Sequence, residues 1–124
     1  MVCCLTCQTF ASELPEHLHP LGNWDLLRWH RPVVEGLSTP YVYVGRADTV
    51  FPGHLEHNLL CSFNINIGPG SKTWIAIPYR EVHRLECVLH ARELCLAGRN
   101  IVLSEDFLQK NDIPYQVLHQ RPGV

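Results

Sequence analysis

A chain of 124 residues with 46% apolar side chains holds about one domain and can bury a core. Its 10 basic and 12 acidic residues, net charge −2, are scattered without long blocks, which excludes the basic footprint of phosphate-driven nucleic-acid binding. No apolar run reaches the roughly 18 residues of a membrane span, and the N-terminal MVCCLTCQTFAS lacks the positive region of a secretory signal, so the sequence reads as soluble and intracellular.

Residues 1–22, with Pro15, Pro20 and Gly22 and no sustained period, read as a loose leader. NWDLLRWH places Trp24, Leu26 and Leu27 at near-helical spacing with Asn23 as N-cap, which predicts a short helix. After Pro32, Gly36 and Pro40, the β-branched and aromatic YVYVG predicts a strand at 41–45. FPGHLEHNLLCSFNINIGPG holds a breaker pair, an alternating run and a Gly-Pro-Gly turn, so strands are expected near 53–57 and 60–67. KTWIAIP supplies another at 72–77. From Tyr79 the period changes: Val82, Leu85, Leu89 and Leu96 recur at helical spacing, and Gly98 suits a helix end, which predicts one long helix over 79–96. Ser104 caps a short helix through Lys110, and YQVLHQ after Pro114 reads as a last strand. The expected fold class is α+β, mainly β.

Cys3, Cys4 and Cys7 crowd one end, whereas Cys61, Cys87 and Cys95 sit in apolar patterns, a usage that fits a reducing compartment. CCLTC could donate thiolates to zinc, but no second pair at finger spacing follows it; the other reading is a frayed terminus.

The segment that carries chemistry is GHLEH. In a strand, residues two apart share a face, so His54 and Glu56 can present an imidazole and a carboxylate to one point, while Leu55 and His57 face away. With one distant imidazole this makes the facial triad that suits Fe(II); the bland reading is a chance pair of wet strand residues. Ser62, Asn64 and Asn66 follow at period two inside an apolar run, and burying them unpartnered would cost about 1 to 3 kcal/mol each, so they face water or a ligand. Lys72 is either a solvated edge lysine or a cation for the far carboxylate of a dicarboxylic acid. Trp74 reads as core.

TPYVYVG, FPGHLEHNLLCSFNINIGPGSKTWIAIP and HRLE together resemble the JmjC catalytic domain of histone lysine demethylases, over about residues 36–124. PGHLEHNLLCSFNINIGPG and IPYQVLHQRPG look most like the UTX type, which acts on the polycomb methyl mark of histone H3. YVYVG, SKTWIAIP and HRLE look more like other jumonji groups. The resemblance implies a partial jumonji double-stranded β-helix, a cupin-like jelly roll, with 23–124 as its N-terminal and central part. It implies Fe(II) held by His54 and Glu56, and 2-oxoglutarate held by Asn64 and Lys72, the lysine taking the distal carboxylate. Ser62 matches a hydroxyl lining that pocket, Phe51 a side chain packed beside the co-substrate, and Tyr43 an aromatic residue near the methylammonium. The implied activity is hydroxylation of a lysine N-methyl group with loss of formaldehyde, in the nucleus, on a histone tail or among chromatin proteins, with no sequence-specific DNA contact and no membrane.

Two departures qualify the match. The UTX type takes its co-substrate lysine from the strand before H-x-E, where Gly45 stands here, so Lys72 follows the other groups. The third iron ligand of the family is a histidine on a strand after QRPG, a strand this sequence does not include, so the chain reads as a fragment. A second reading is therefore a catalytically inactive JmjC module that binds chromatin proteins through an exposed sheet edge. A third is a cupin-like barrel holding a small molecule and some other metal.

Overall fold

The computed structural model describes residues 14–56, 59–98 and 101–123, so Cys3, Cys4, Cys7 and His57 lie outside the described residues. The chain divides into two units, one ending at Thr49 and the other beginning at Val50.

In the first unit the short helix is a 3-10 turn, Leu26–Trp29, and its cap is Asp25 rather than Asn23. Asp25 accepts from the Leu27 N–H at 2.9 Å and from the Leu21 N–H at 2.8 Å. Asn23 instead accepts from Arg28 Nη1 at 2.8 Å. A second 3-10 turn spans Glu16–Leu18. Ser38 is buried where an isolated bridge joins Glu35 to Thr39, and Gly36 turns the chain there at φ +77°. The strand expected at 41–45 does not form: the segment is extended but pairs with no ladder, because β-branched residues favour a pleated surface only where a partner strand supplies one.

In the second unit, β1 (Lys72–Ala76) pairs antiparallel with β2 (Gln116–Gln120). The register sets Lys72 opposite Gln120, Trp74 opposite Leu118 and Ala76 opposite Gln116. Because directly opposed residues share a face, Lys72, Trp74 and Gln120 project to the same side. Both strands lie where the sequence puts them. Of those expected at 53–57 and 60–67, the described residues 53–56 and 60–67 form no strand, so the described residues hold two strands and a fold less rich in β than the alternating pattern suggests. The 64–68 segment has another use for its polar groups. Asn66 Nδ2 donates to Gly70 O at 2.8 Å and to Gln120 O at 3.1 Å, and the Gly123 N–H donates to Asn66 O at 2.7 Å. Side-chain amides therefore tie this segment to the end of β2 in place of a regular ladder.

The long helix expected over 79–96 is shorter. Tyr79–Glu81 is a 3-10 turn after Pro78, α1 spans Val82–His90, and Leu96–Gly98 is a separate 3-10 turn. A Schellman closure ends α1 well before Gly98: the Leu94 N–H donates to Leu89 O, the Glu93 N–H donates to His90 O, and Glu93 takes φ +60°. Helix α2 (Glu105–Lys110) starts at Ser104, whose hydroxyl accepts from the Phe107 N–H at 3.2 Å. It closes the same way, Ile113 N–H to Leu108 O and Asp112 N–H to Gln109 O, with Asp112 at φ +52°. Leu108 and Ile113 meet inside the core, the apolar contact that accompanies this closure.

The core comprises Leu85, Leu89, Leu96, Ile101, Leu108 and Ile113, with Ile77, Val82, Leu103, Phe107 and Tyr115 packed against it. The helical spacing of Val82, Leu85 and Leu89 thus read the buried stripe correctly. Arg92 links the two helices, donating to Val88 O at 2.7 Å and to Asn111 Oδ1 at 3.0 Å. Trp74 is not in the core; its ring is 39% exposed. Cys61, Cys87 and Cys95 are exposed despite their apolar neighbours, because Cys87 falls off the Leu85 and Leu89 stripe and Cys95 follows the α1 closure. Among the described residues no helix is long and apolar enough to cross a membrane.

Candidate functional site

The core fixes the backbone that presents His54. The Gly53 N–H donates to Ile101 O at 2.8 Å, and a Cβ on Gly53 would stand 2.8 Å from Leu103 Cδ1 and 3.1 Å from its Cγ, so a larger residue here would have to push the Leu103 side chain aside. The next residue, His54, is partly buried, and its Nδ1 lies 2.8 Å from Pro52 O. A carbonyl oxygen can only accept, so Nδ1 carries a proton, and in the Nδ1–H tautomer the Nε2 lone pair points to another partner. Nε2 lies 3.9 Å from Glu56 Oε1, too far for a hydrogen bond. Carrying a carbonyl on its far nitrogen is the usual orientation of a ligating histidine.

A cation bonded to each donor at about 2.0 to 2.2 Å bridges atoms up to about 4.2 Å apart. The 3.9 Å gap lies within that reach, and the half-exposed Glu56 side chain has room to turn inward. An imidazole nitrogen and a carboxylate oxygen also suit Fe(II). The two donors therefore fit a metal as part of its ligand set; among the described residues no group of three His, Cys, Asp or Glu side chains converges to complete one. The regular strand assumed for this segment is absent over residues 53–56, yet the 3.9 Å separation still sets the two side chains side by side. Phe51 stacks obliquely on His54, ring centroids 5.5 Å apart.

A second pair forms at the start of β1. Lys72 Nζ donates to Asn64 Oδ1 at 3.1 Å and lies 5.6 Å from the centroid of the Trp74 ring. Lys72 is partly buried, on a strand of the two-stranded sheet. Ser62 is exposed on the preceding segment. Asn66, expected to face water or a ligand, is instead buried with its amide spent on protein: besides its two donated bonds, Oδ1 accepts from the Gly68 N–H at 2.9 Å. Tyr43 belongs to the first unit, where its ring packs against Tyr41 at 5.2 Å.

Sequence reasoning missed Gln120. Its Oε1 accepts from Trp74 Nε1 at 2.9 Å, and its Nε2 donates to Asn64 O at 3.0 Å. The available signal was register: two five-residue strands paired end to end put Gln120 across from Lys72.

The described residues thus bring together an imidazole and a carboxylate 3.9 Å apart and, separately, a lysine bonded to an amide, on a small module of two strands and short helices. Residues 41–123 match the JmjC domain, described as a hydroxylase. The chain belongs to the JmjC domain family. It is 37% identical over 101 residues to the human "Probable lysine-specific demethylase 4F", covering 73% of this chain and 16% of that protein. It is 31% identical over 113 residues to human "Lysine-specific demethylase 6B", covering 90% of this chain and 7% of that protein. It is 34% identical over 78 residues to "Lysine-specific demethylase jmjd-3.1" of Caenorhabditis elegans, covering 63% of this chain and 7% of that protein. The chain thus spans less than a fifth of each of these relatives. No solved structure matches it.

Proposed function

We propose that the chain is part of an Fe(II)- and 2-oxoglutarate-dependent demethylase of methylated histone lysine. The observation that carries the reading is the Lys72 and Asn64 pair, a partly buried cation bonded to an amide, within the segment that matches the JmjC domain. The lysine-specific demethylase names of the relatives supply the substrate class.

In this reading His54 Nε2 and Glu56 hold the metal, and the Pro52 carbonyl keeps the imidazole in the ligating tautomer. Lys72 binds the distal carboxylate of 2-oxoglutarate, Asn64 steers its ammonium, Ser62 adds a hydroxyl, and Phe51 excludes water beside His54. Tyr43 offers a ring face to a methylammonium, a cation that has few or no N–H donors left and gains chiefly from aromatic contact. Bound Fe(II) would supply the oxygen chemistry that couples decarboxylation of 2-oxoglutarate to hydroxylation of the N-methyl group. The proposal extends to a double-stranded β-helix in which β1 and β2 are one pair, to chromatin partners and to a nuclear location. UTX-type and other jumonji features are mixed in this reading, which leaves the methyl mark to the peptide panel.

The test is turnover by the full-length protein with 2-oxoglutarate, oxygen, Fe(II) and a panel of methylated histone peptides. Succinate and formaldehyde should form in equal amounts with at least one peptide, and K72M should abolish both. Absence of succinate with every peptide would refute the activity.

One observation favours a second reading, an inactive module that binds chromatin proteins. The sheet has two strands among the described residues, so β1 and β2 each have an outer edge with no partner strand, as strand addition uses. It predicts peptide binding without turnover.

A further inference from the structure

We infer that Gln120 is the positioning residue for the Lys72 cation, holding it from two sides at once. The inference rests on the reading of Lys72 as the anchor for the distal carboxylate of 2-oxoglutarate. Lys72 Nζ donates to the Asn64 side-chain oxygen at 3.1 Å and lies 5.6 Å from the centroid of the Trp74 ring. The Gln120 side-chain amide binds both of these residues, Trp74 at its indole and Asn64 at its main-chain carbonyl. Oε1 accepts the Trp74 indole N–H at 2.9 Å and Nε2 donates to the Asn64 carbonyl at 3.0 Å.

The amide orientation follows from its partners, since an indole nitrogen only donates and a carbonyl only accepts. The backbone reinforces the arrangement. Gln120 sits opposite Lys72 in the β1 and β2 register, and its own carbonyl accepts from Asn66 Nδ2 at 3.1 Å, which fastens the 64–66 segment to the strand end. One side chain thus joins the segment carrying Asn64 to the strand carrying Lys72 and Trp74.

The consequence concerns affinity for the oxyacid and not the chemical step. A lysine side chain has four rotatable bonds, and a carboxylate bound by a freely moving ammonium must order it first. With Asn64 and Trp74 both fixed, that ordering is done before the ligand arrives. Removing the amide should let both neighbours drift.

The experiment measures 2-oxoglutarate binding to the full chain in the presence of Mn(II), with Gln120→Met, Gln120→Glu, Trp74→Phe and Lys72→Met. Q120M keeps the shape of the side chain and deletes both bonds. It should weaken 2-oxoglutarate about tenfold, the loss of one to two hydrogen bonds' worth of order, while leaving Mn(II) affinity unchanged. Q120E keeps the acceptor for Trp74, loses the donor to Asn64 and adds a negative charge opposite Lys72, so it should bind the dianion more weakly still.

W74F keeps the ring and removes only the indole donor. It should weaken binding about threefold to fivefold, and it decides the matter if Q120M does not fold. In turnover, Q120M and W74F should raise KM for 2-oxoglutarate and leave kcat and the peptide KM as they are, a split that general destabilisation does not produce, whereas K72M abolishes turnover. The Trp74 indole N–H resonance, assigned by its loss in W74F, should move in Q120M and stay in Q120E. If Q120M and W74F bind 2-oxoglutarate as wild type does while K72M loses it, the positioning role is refuted and the anchor stands. If K72M also binds normally, Lys72 is not the anchor and the inference goes with it.

Discussion

Asn66 makes three side-chain hydrogen bonds and is 5% exposed, so water cannot replace what it provides. Its side chain donates to Gly70 O and Gln120 O and accepts from the Gly68 N–H, at 2.8, 3.1 and 2.9 Å. Asn66→Ala removes all three. At a net worth of about 1 kcal/mol each, and with two carbonyls and an N–H left without those partners, the loss should be about 3 kcal/mol.

Asn66→Asp is the sharper perturbation because it changes almost no volume. One oxygen still accepts from Gly68, but the other now faces two carbonyl oxygens from which it can take no hydrogen bond. At neutral pH N66D should therefore destabilise at least as much as N66A. Burial and the facing carbonyls raise the pKa of the new carboxyl above its unfolded value. The N66D penalty should be smallest at low pH, where the protonated group donates to one carbonyl, and should grow as pH rises through that raised pKa.

Urea unfolding at two pH values measures these differences, and amide exchange at Gly68 reports the local loss. The reasoning is refuted if N66A stays within about 0.5 kcal/mol of wild type, or if N66D proves the milder variant at neutral pH.

Leu108 is fully buried in a core of six aliphatic residues, so Leu108→Ala should cost about 2 to 5 kcal/mol in the same unfolding assay. Ser104→Ala removes the cap of α2 and should cost about 1 kcal/mol. By contrast Asp106→Asn breaks the 2.8 Å pair with Lys110, both side chains more than 70% exposed, and should change stability by less than about 0.5 kcal/mol. Gly53→Ala forces Leu103 aside; it should cost about 1 to 3 kcal/mol in unfolding and weaken metal binding at the adjacent His54 by titration.

What the sequence disclosed and what it concealed follow from the range of the forces involved. The spacing of Val82, Leu85 and Leu89, the Ser104 cap and the KTWIA and QVLHQ strands are local patterns, and each was readable where it stands. The end of α1 was not, because a Schellman closure with glutamate rather than glycine in the left-handed position carries no residue signal, and Gly98 pointed to a later stop. YVYVG and the 53–67 segment were read as strands from residue type alone, although a strand exists only with a partner, and the amides of Asn66 and Gln120 do the tying instead. At the site, the His54 and Glu56 pair and the Lys72 and Asn64 pair were legible from spacing and resemblance. The role of Gln120 depends on a register between residues far apart in the sequence and emerged only from the pairing of β1 with β2.

The most direct test of the central claim is anaerobic titration of the full-length protein with Fe(II) in the presence of 2-oxoglutarate. The account predicts one Fe(II) per chain, with affinity lowered at least about tenfold in His54→Ala and in Glu56→Ala. Affinity that is the same in wild type and both variants would contradict it, as would failure of the wild-type protein to bind Fe(II).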